Sequence, residues 1–198
     1  MISFLLRYYF DGLANWVVLT PLFLSFIMEI GFFLGDFLAM HLIITLVSSS
    51  LVCVNFFAFQ KKHQKMFSLF PVPTKTFIAA DYLFLSGIIL SYCTYSVFIG
   101  AFFMSFIEKQ LVFPSATHWL ILLCANFILF AIYIILQLTN LQFVMGILPF
   151  LIPLFISTSI PYLGQLIDSM PLIISVAVLS FVLSILMTNY FSTRRDIV

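Results

Sequence analysis

Charge is what this chain has least of. Asp, Glu, Lys and Arg make up 8% of its 198 residues while 64% are apolar, and a soluble domain carries roughly a quarter charged residues. That deficit excludes a water-soluble globule and points to an all-α integral membrane protein. Catalytic signatures are missing as well. There is no GxSxG, no HExxH and no paired glutamates with a downstream histidine, so neither a lipid hydrolase nor an intramembrane protease has its groups. With no GxxxxGK[ST] loop, the chain cannot bind and hydrolyse ATP by that route. Cys53, Cys93 and Cys124 stand alone inside apolar runs. With no CxxC and no histidine at ligand spacing, they read as structural thiols rather than a metal site or disulfide framework. A net charge near +1 gives no reason to expect nucleic acid. The N-terminal MISFLLRYYFDGLAN lacks a long apolar core and a small-residue cleavage site, and is not read as a removable signal peptide.

What the chain does have is a succession of long apolar runs. Residues 1–12 form a short segment around Arg7, expected as an amphipathic helix in the membrane interface or as an extension of the first span. Transmembrane helices are expected over 13–35, 37–60, 77–107, 119–138, 143–162 and 172–191. Pro21 sits in the first, together with the Gly31 and Gly35 pair that permits close helix approach. Pro149 and Pro153 disturb the fifth. The stretch STSIPYLGQLIDSMP is too polar to face lipid, and is expected as a broken or re-entrant piece on the outer side.

The largest polar interruption of the first half is Gln60 to Asp81, QKKHQKMFSLFPVPTKTFIAAD. Lys61, Lys62, Lys65 and Lys75 lie in it, half of the eight basic residues. Six crossings put these four on one face with Arg7, Arg194 and Arg195, and leave only Lys109 opposite. The bias predicts a cytoplasmic N-terminus, 61–76 loop and tail in the plasma membrane. Lys61 to Phe70 has room for about three helical turns before Pro71 ends them. Met66, Phe67, Leu69 and Phe70 on that helix call for lipid or a protein partner.

Ionisable and polar residues at membrane depth are the remaining functional candidates. Glu29 either lines a pathway or is neutralised and hydrogen-bonded near the outer headgroups. Asp81, one turn into the third helix, is expected to complement the helix dipole or pair with a lysine. Ser48, Ser49, Ser50, Asn55 and Asn126 suit hydrogen bonds between helices, with Ser49 and Asn55 as candidates for a translocation path. The three histidines, His41, His63 and His118, are expected at three different depths.

The stretch from Ser68 to Leu83, SLFPVPTKTFIAADYL, resembles the loop between helices two and three in the ABC type-2 permease family. Pro71, Val72, Lys75, Thr76, Ala80, Tyr82 and Leu83 fall in register. The tail from Ser192 to Ile197, STRRDI, is similar to that family's ending, and the six-span plan matches. Pro73 and Thr74 stand where the family has a Ser-Arg pair, and Asp81 where it has a lysine. The resemblance implies an exporter permease that works as a dimer with a second copy or a paralogue. It also implies a separate ATP-binding-cassette ATPase that holds ATP and Mg, with no cofactor on this chain. The coupling helix would be Gln64, Lys65, Met66, Phe67, Ser68, Leu69 and Phe70, closed by Pro71, and the cargo amphipathic or antimicrobial peptides. The alternatives are a small ion-coupled carrier using Glu29, and a non-transporting immunity or assembly subunit.

Overall fold

The computed structural model describes residues 2–12, 23, 37–67, 73–109, 116–159 and 169–195. Among these it contains six helices and no strand: α1 (Ile2–Gly12), α2 (Phe37–Phe67), α3 (Thr74–Glu108), α4 (Ala116–Leu138), α5 (Gln142–Ser159) and α6 (Met170–Arg195). Stretches within α2, α3, α4 and α6 are long and apolar enough to cross a membrane; α5 is shorter. The expected first span over 13–35, apart from Phe23, lies outside the described residues, as do residues 160–168 of the expected broken piece over 157–171, whose first three residues end α5 and whose Met170 and Pro171 begin α6.

Local chemistry sets the helix ends. Pro73 has φ −57° and ψ 135°, an extended geometry that a ring-locked residue adopts without strain. Its carbonyl accepts the first bonds of α3, from the Thr76 and Phe77 amides at 2.8 and 3.4 Å. At the other end Lys109 closes α3 in the left-handed region, φ 53°. Asn140, φ 59°, does the same after α4. The Leu141 amide reaches back to the Leu136 carbonyl at 3.0 Å and the Asn140 amide to Gln137 at 3.2 Å. This paired pattern satisfies carbonyls that the helix end leaves free, with asparagine in place of the usual glycine.

Pro149 and Pro153 sit inside α5 without ending it. Having no N–H, Pro149 deprives the Met145 carbonyl of its helical donor. The Tyr133 hydroxyl on α4, fully buried, donates to that carbonyl at 3.3 Å. A neighbouring helix thus satisfies the backbone group that proline sets free.

α4 is the central helix, packed against α2, α3, α5 and α6; α2 also packs on α3 and α5, and α1 on α3. The core runs through Val52 and Phe56 of α2, Phe84 and Ile89 of α3, and Leu122, Phe130 and Tyr133 of α4. Large apolar side chains that the bundle leaves exposed include Phe98, Phe102 and Phe106 of α3, Phe150 and Phe155 of α5, and Leu179 and Leu183 of α6. Such a surface suits lipid.

One expectation changes. The second helix does not stop at residue 60: Lys61 to Phe67 continue it without a break, because no proline or glycine occurs before Pro71 and these residues are good helix formers. The separate short helix expected over 61–70 is instead, as far as Phe67, the end of α2. The N-terminal segment is helical and packs one face on the bundle. Leu5 and Tyr9 are buried, with the Tyr9 ring 5.1 Å from Phe56 and 5.5 Å from Phe84 in edge-to-face contacts. At Gly12 an added Cβ would meet the Phe59 ring at 2.5 Å, so the end of α1 closes tightly onto α2.

Candidate functional site

Four helices bring one end each to a common cavity of about 290 Å³ with both polar and apolar lining. α2 contributes Phe57 and Gln60 from its C-terminal half, and α3 contributes Thr74, Asp81 and Tyr82 from its N-terminal turns. Phe130 and Gln137 come from the second half of α4, and Thr188 and Phe191 from the C-terminal part of α6. Polar residues collect here because antiparallel helices put these segments at the same level, near the end of the apolar layer. Lys61, Lys62 and Lys75 occur on the same helix ends, as do the positions of Lys65, Arg194 and Arg195. The Lys61 Nζ donates to Gln142 Oε1 at 3.0 Å, tying α2 to the start of α5.

Asp81 is the carboxylate of the cavity. The Tyr9 hydroxyl, carried by α1, donates to its Oδ1 at 2.6 Å, and the Gln60 side chain hydrogen-bonds to both Asp81 and Tyr9. Burial, and next the adjacent Asp81 charge, push the Tyr9 phenol well above the ordinary tyrosine range, so Tyr9 stays a donor at neutral pH. The expectation that Asp81 serves a helix dipole or a lysine is corrected: its partners are a phenol and an amide. The single ion pair among the described residues joins Arg7 and Asp11 on the exposed side of α1 at 3.7 Å. One residue beyond Asp81, the Tyr82 hydroxyl donates to Ser184 Oγ at 3.0 Å and lies 3.2 Å from Thr188 Oγ1. α3 is thereby fixed to α1 and α2 through one residue and to α6 through the next.

A second polar cluster lies deeper in the bundle, between α2 and α4. Asn126 Nδ2 donates to Thr45 Oγ1 at 3.2 Å and to the Leu122 carbonyl at 2.8 Å. Thr45 in turn donates to the His41 carbonyl at 2.7 Å. Ser48, Ser49 and Ser50 are buried on the same helix. Ser50 donates to the Leu46 carbonyl at 2.6 Å, while Ser49 Oγ and Asn126 Oδ1 have no partner among the described residues. The cluster joins two helices and lines neither cavity described here.

Of the residues expected to form a path, Ser49 and Asn55 lie on different sides of α2. Ser49 is buried in the bundle. Asn55 is exposed and donates to its own helix at Leu51, 2.7 Å away, because six residues of helix turn it to another side. Glu29 lies outside the described residues, as do Ser68, Leu69, Phe70 and Pro71. Gln64, Lys65, Met66 and Phe67 form the last turn of α2. His41 is buried one turn into α2, and His118 is at the start of α4. Among the described residues no group of three or more His, Cys, Asp or Glu could hold a metal ion.

Sequence reasoning missed Tyr9, Gln60, Tyr82 and Thr188. Each is a polar side chain near the end of an apolar helix, where such residues are common, and only their convergence distinguishes them. A larger and almost wholly apolar groove of about 500 Å³ runs between α4 and α6, past Leu123, Phe127, Ala177 and Val178. Comparison with protein-family models, with curated proteins and with solved structures returns no match.

Proposed function

We propose that the chain is the membrane-spanning permease subunit of an ATP-driven exporter, working in the cell membrane as a dimer with a second copy or a paralogue. Its energy comes from a separate ATPase chain, and its cargo is an amphipathic peptide. Both termini and the basic helix ends face the cytoplasm, following the bias of lysine and arginine, and the six crossings include one over 13–35 and one over 143–162. The supporting observation is the single helix α2. Its apolar part, His41–Lys62, continues without interruption to Phe67, so its 31 residues reach about 46 Å at ~1.5 Å per residue against a hydrocarbon layer of ~30 Å. A helix that leaves the membrane without a hinge transmits a push at its end to the bundle as a rigid body. The same helix carries Phe57 and Gln60 to the cavity, so a force applied at residues 64–67 arrives where cargo could sit.

The test is co-purification. A P-loop ATPase should accompany the tagged wild-type chain from membranes, and Phe67→Asp or Leu69→Asp should release it while the chain remains folded. Transport that persists without any ATPase and is abolished by Glu29→Gln would replace this reading with an ion-coupled carrier.

A further inference from the structure

We propose that the cavity between α2, α3, α4 and α6 is a binding site for an ammonium-bearing amphiphile, whose cationic head meets Asp81 and whose apolar part lies against aromatic walls. Three observations converge. Asp81 lines the cavity, and what the structure gives it are two hydrogen-bond donors, Tyr9 and Gln60, with no cation among the described residues. A carboxyl taken from water and given donors but no counter-ion gains from a cation that arrives, because the cation compensates the cost of burying the charge. Phe57, Phe130 and Tyr82 also line the cavity, and aromatic rings favour cations as well as hydrocarbon. The remaining polar lining, Gln137 and Thr188 among it, offers neutral oxygens and brings no basic group into the space. At about 290 Å³ the cavity is at the small end of ligand sites, and fits one headgroup and a short apolar segment rather than a folded cargo.

An ammonium head could be that of a free amine or of a lipid. Binding by the isolated chain does not depend on an ATPase, so the outcome here and the co-purification above can fail separately. The measurement is isothermal titration of the full chain in maltoside micelles with 4-phenylbutylamine and with the matching alcohol, 4-phenylbutan-1-ol. Saturable amine binding at least ~10-fold tighter than that of the alcohol is expected, a gap of about 1.4 kcal/mol. Asp81→Asn should remove that preference. Because Asp81→Asn also disturbs Tyr9 and Gln60, Gln137→Lys provides an independent arm: it leaves the Asp81 hydrogen bonds in place, brings a cation into the lining, and should weaken the amine by ~10-fold or more. Competition by added phosphatidylethanolamine would assign the site to a lipid headgroup, and its absence to a free amine. Equal affinity for amine and alcohol, undiminished amine binding in Gln137→Lys, or no saturable binding at all would overturn the proposal.

Discussion

α4 and α6 are neighbours of similar length and hydropathy, yet they live differently. Over their apolar windows 56% of α4 is buried inside the bundle and only 11% of α6. In water such a difference would follow from hydrophobicity. In a bilayer it cannot, because lipid tails solvate a leucine as well as another helix does. What separates the two is the placement of polar and bulky groups. α4 carries Asn126 and Tyr133, whose hydrogen bonds point to α2 and α5. α6 has only a narrow seam, Phe181, Ser184 and Thr188, directed at α3 and α4. Leu172, Val176, Val178, Leu179, Leu183 and Leu186 of α6 are exposed aliphatic side chains.

The sharpest way to break this contrast is to truncate one large side chain on each helix. Phe130→Ala in α4 should cost ~3–5 kcal/mol as transfer and cavity terms combine, whereas Leu183→Ala, 54% exposed on α6, should change thermal stability in detergent hardly at all. Enlargement comes next. Ala131→Trp, at a buried site, should destabilise by roughly 1–3 kcal/mol or more through overpacking, and Val178→Trp on the exposed face of α6 should be accepted. Equal responses within either pair would mean that α6 is covered by protein in the assembled molecule.

The cavity end offers a finer test. Tyr9→Phe removes one donor from Asp81 without changing the ring packing, and should lower stability by ~1–3 kcal/mol, read as earlier unfolding and faster proteolysis of α1. Between the helices, Asn126→Leu and Ser184→Ala should each cost only about 0.6 kcal/mol, the average for hydrogen bonds within membranes, unless the orphaned oxygens at Ser49 and Asn126 hold something further.

The smallest effect is alkaline. Since the Tyr9 phenol is raised by burial and by Asp81, its contribution to stability is complete below ~10, where an unfolded tyrosine titrates. The contribution is lost as pH rises through its folded value. Absorbance titration should show Tyr9→Phe with one late-ionising tyrosine fewer than the wild type and the ordinary phenolate transition unchanged.

Composition and run lengths were enough to place this chain among all-helical membrane proteins. They also located the helices of residues 74–108, 116–138 and 170–195 to within a few residues, because twenty apolar residues in a row have few other stable arrangements. Asn140 as a helix stop and the rescue of Met145 by Tyr133 were less legible, since each depends on a backbone group left over by a neighbour. The continuation of α2 to Phe67 was misread from its charges: a run of lysines and glutamines changes the solvent around a helix without breaking it.

The sequence alone determined which segments must be helical and leave water, since transfer of apolar side chains and internal pairing of every backbone amide follow from local composition. Only the tertiary structure decided which polar residues meet. Tyr9, Gln60 and Asp81 are far apart along the chain, and each alone is an ordinary residue near a helix end. Their convergence on one cavity depends on helix register and crossing, which are set by packing contacts too short in range for any single stretch of sequence to reveal.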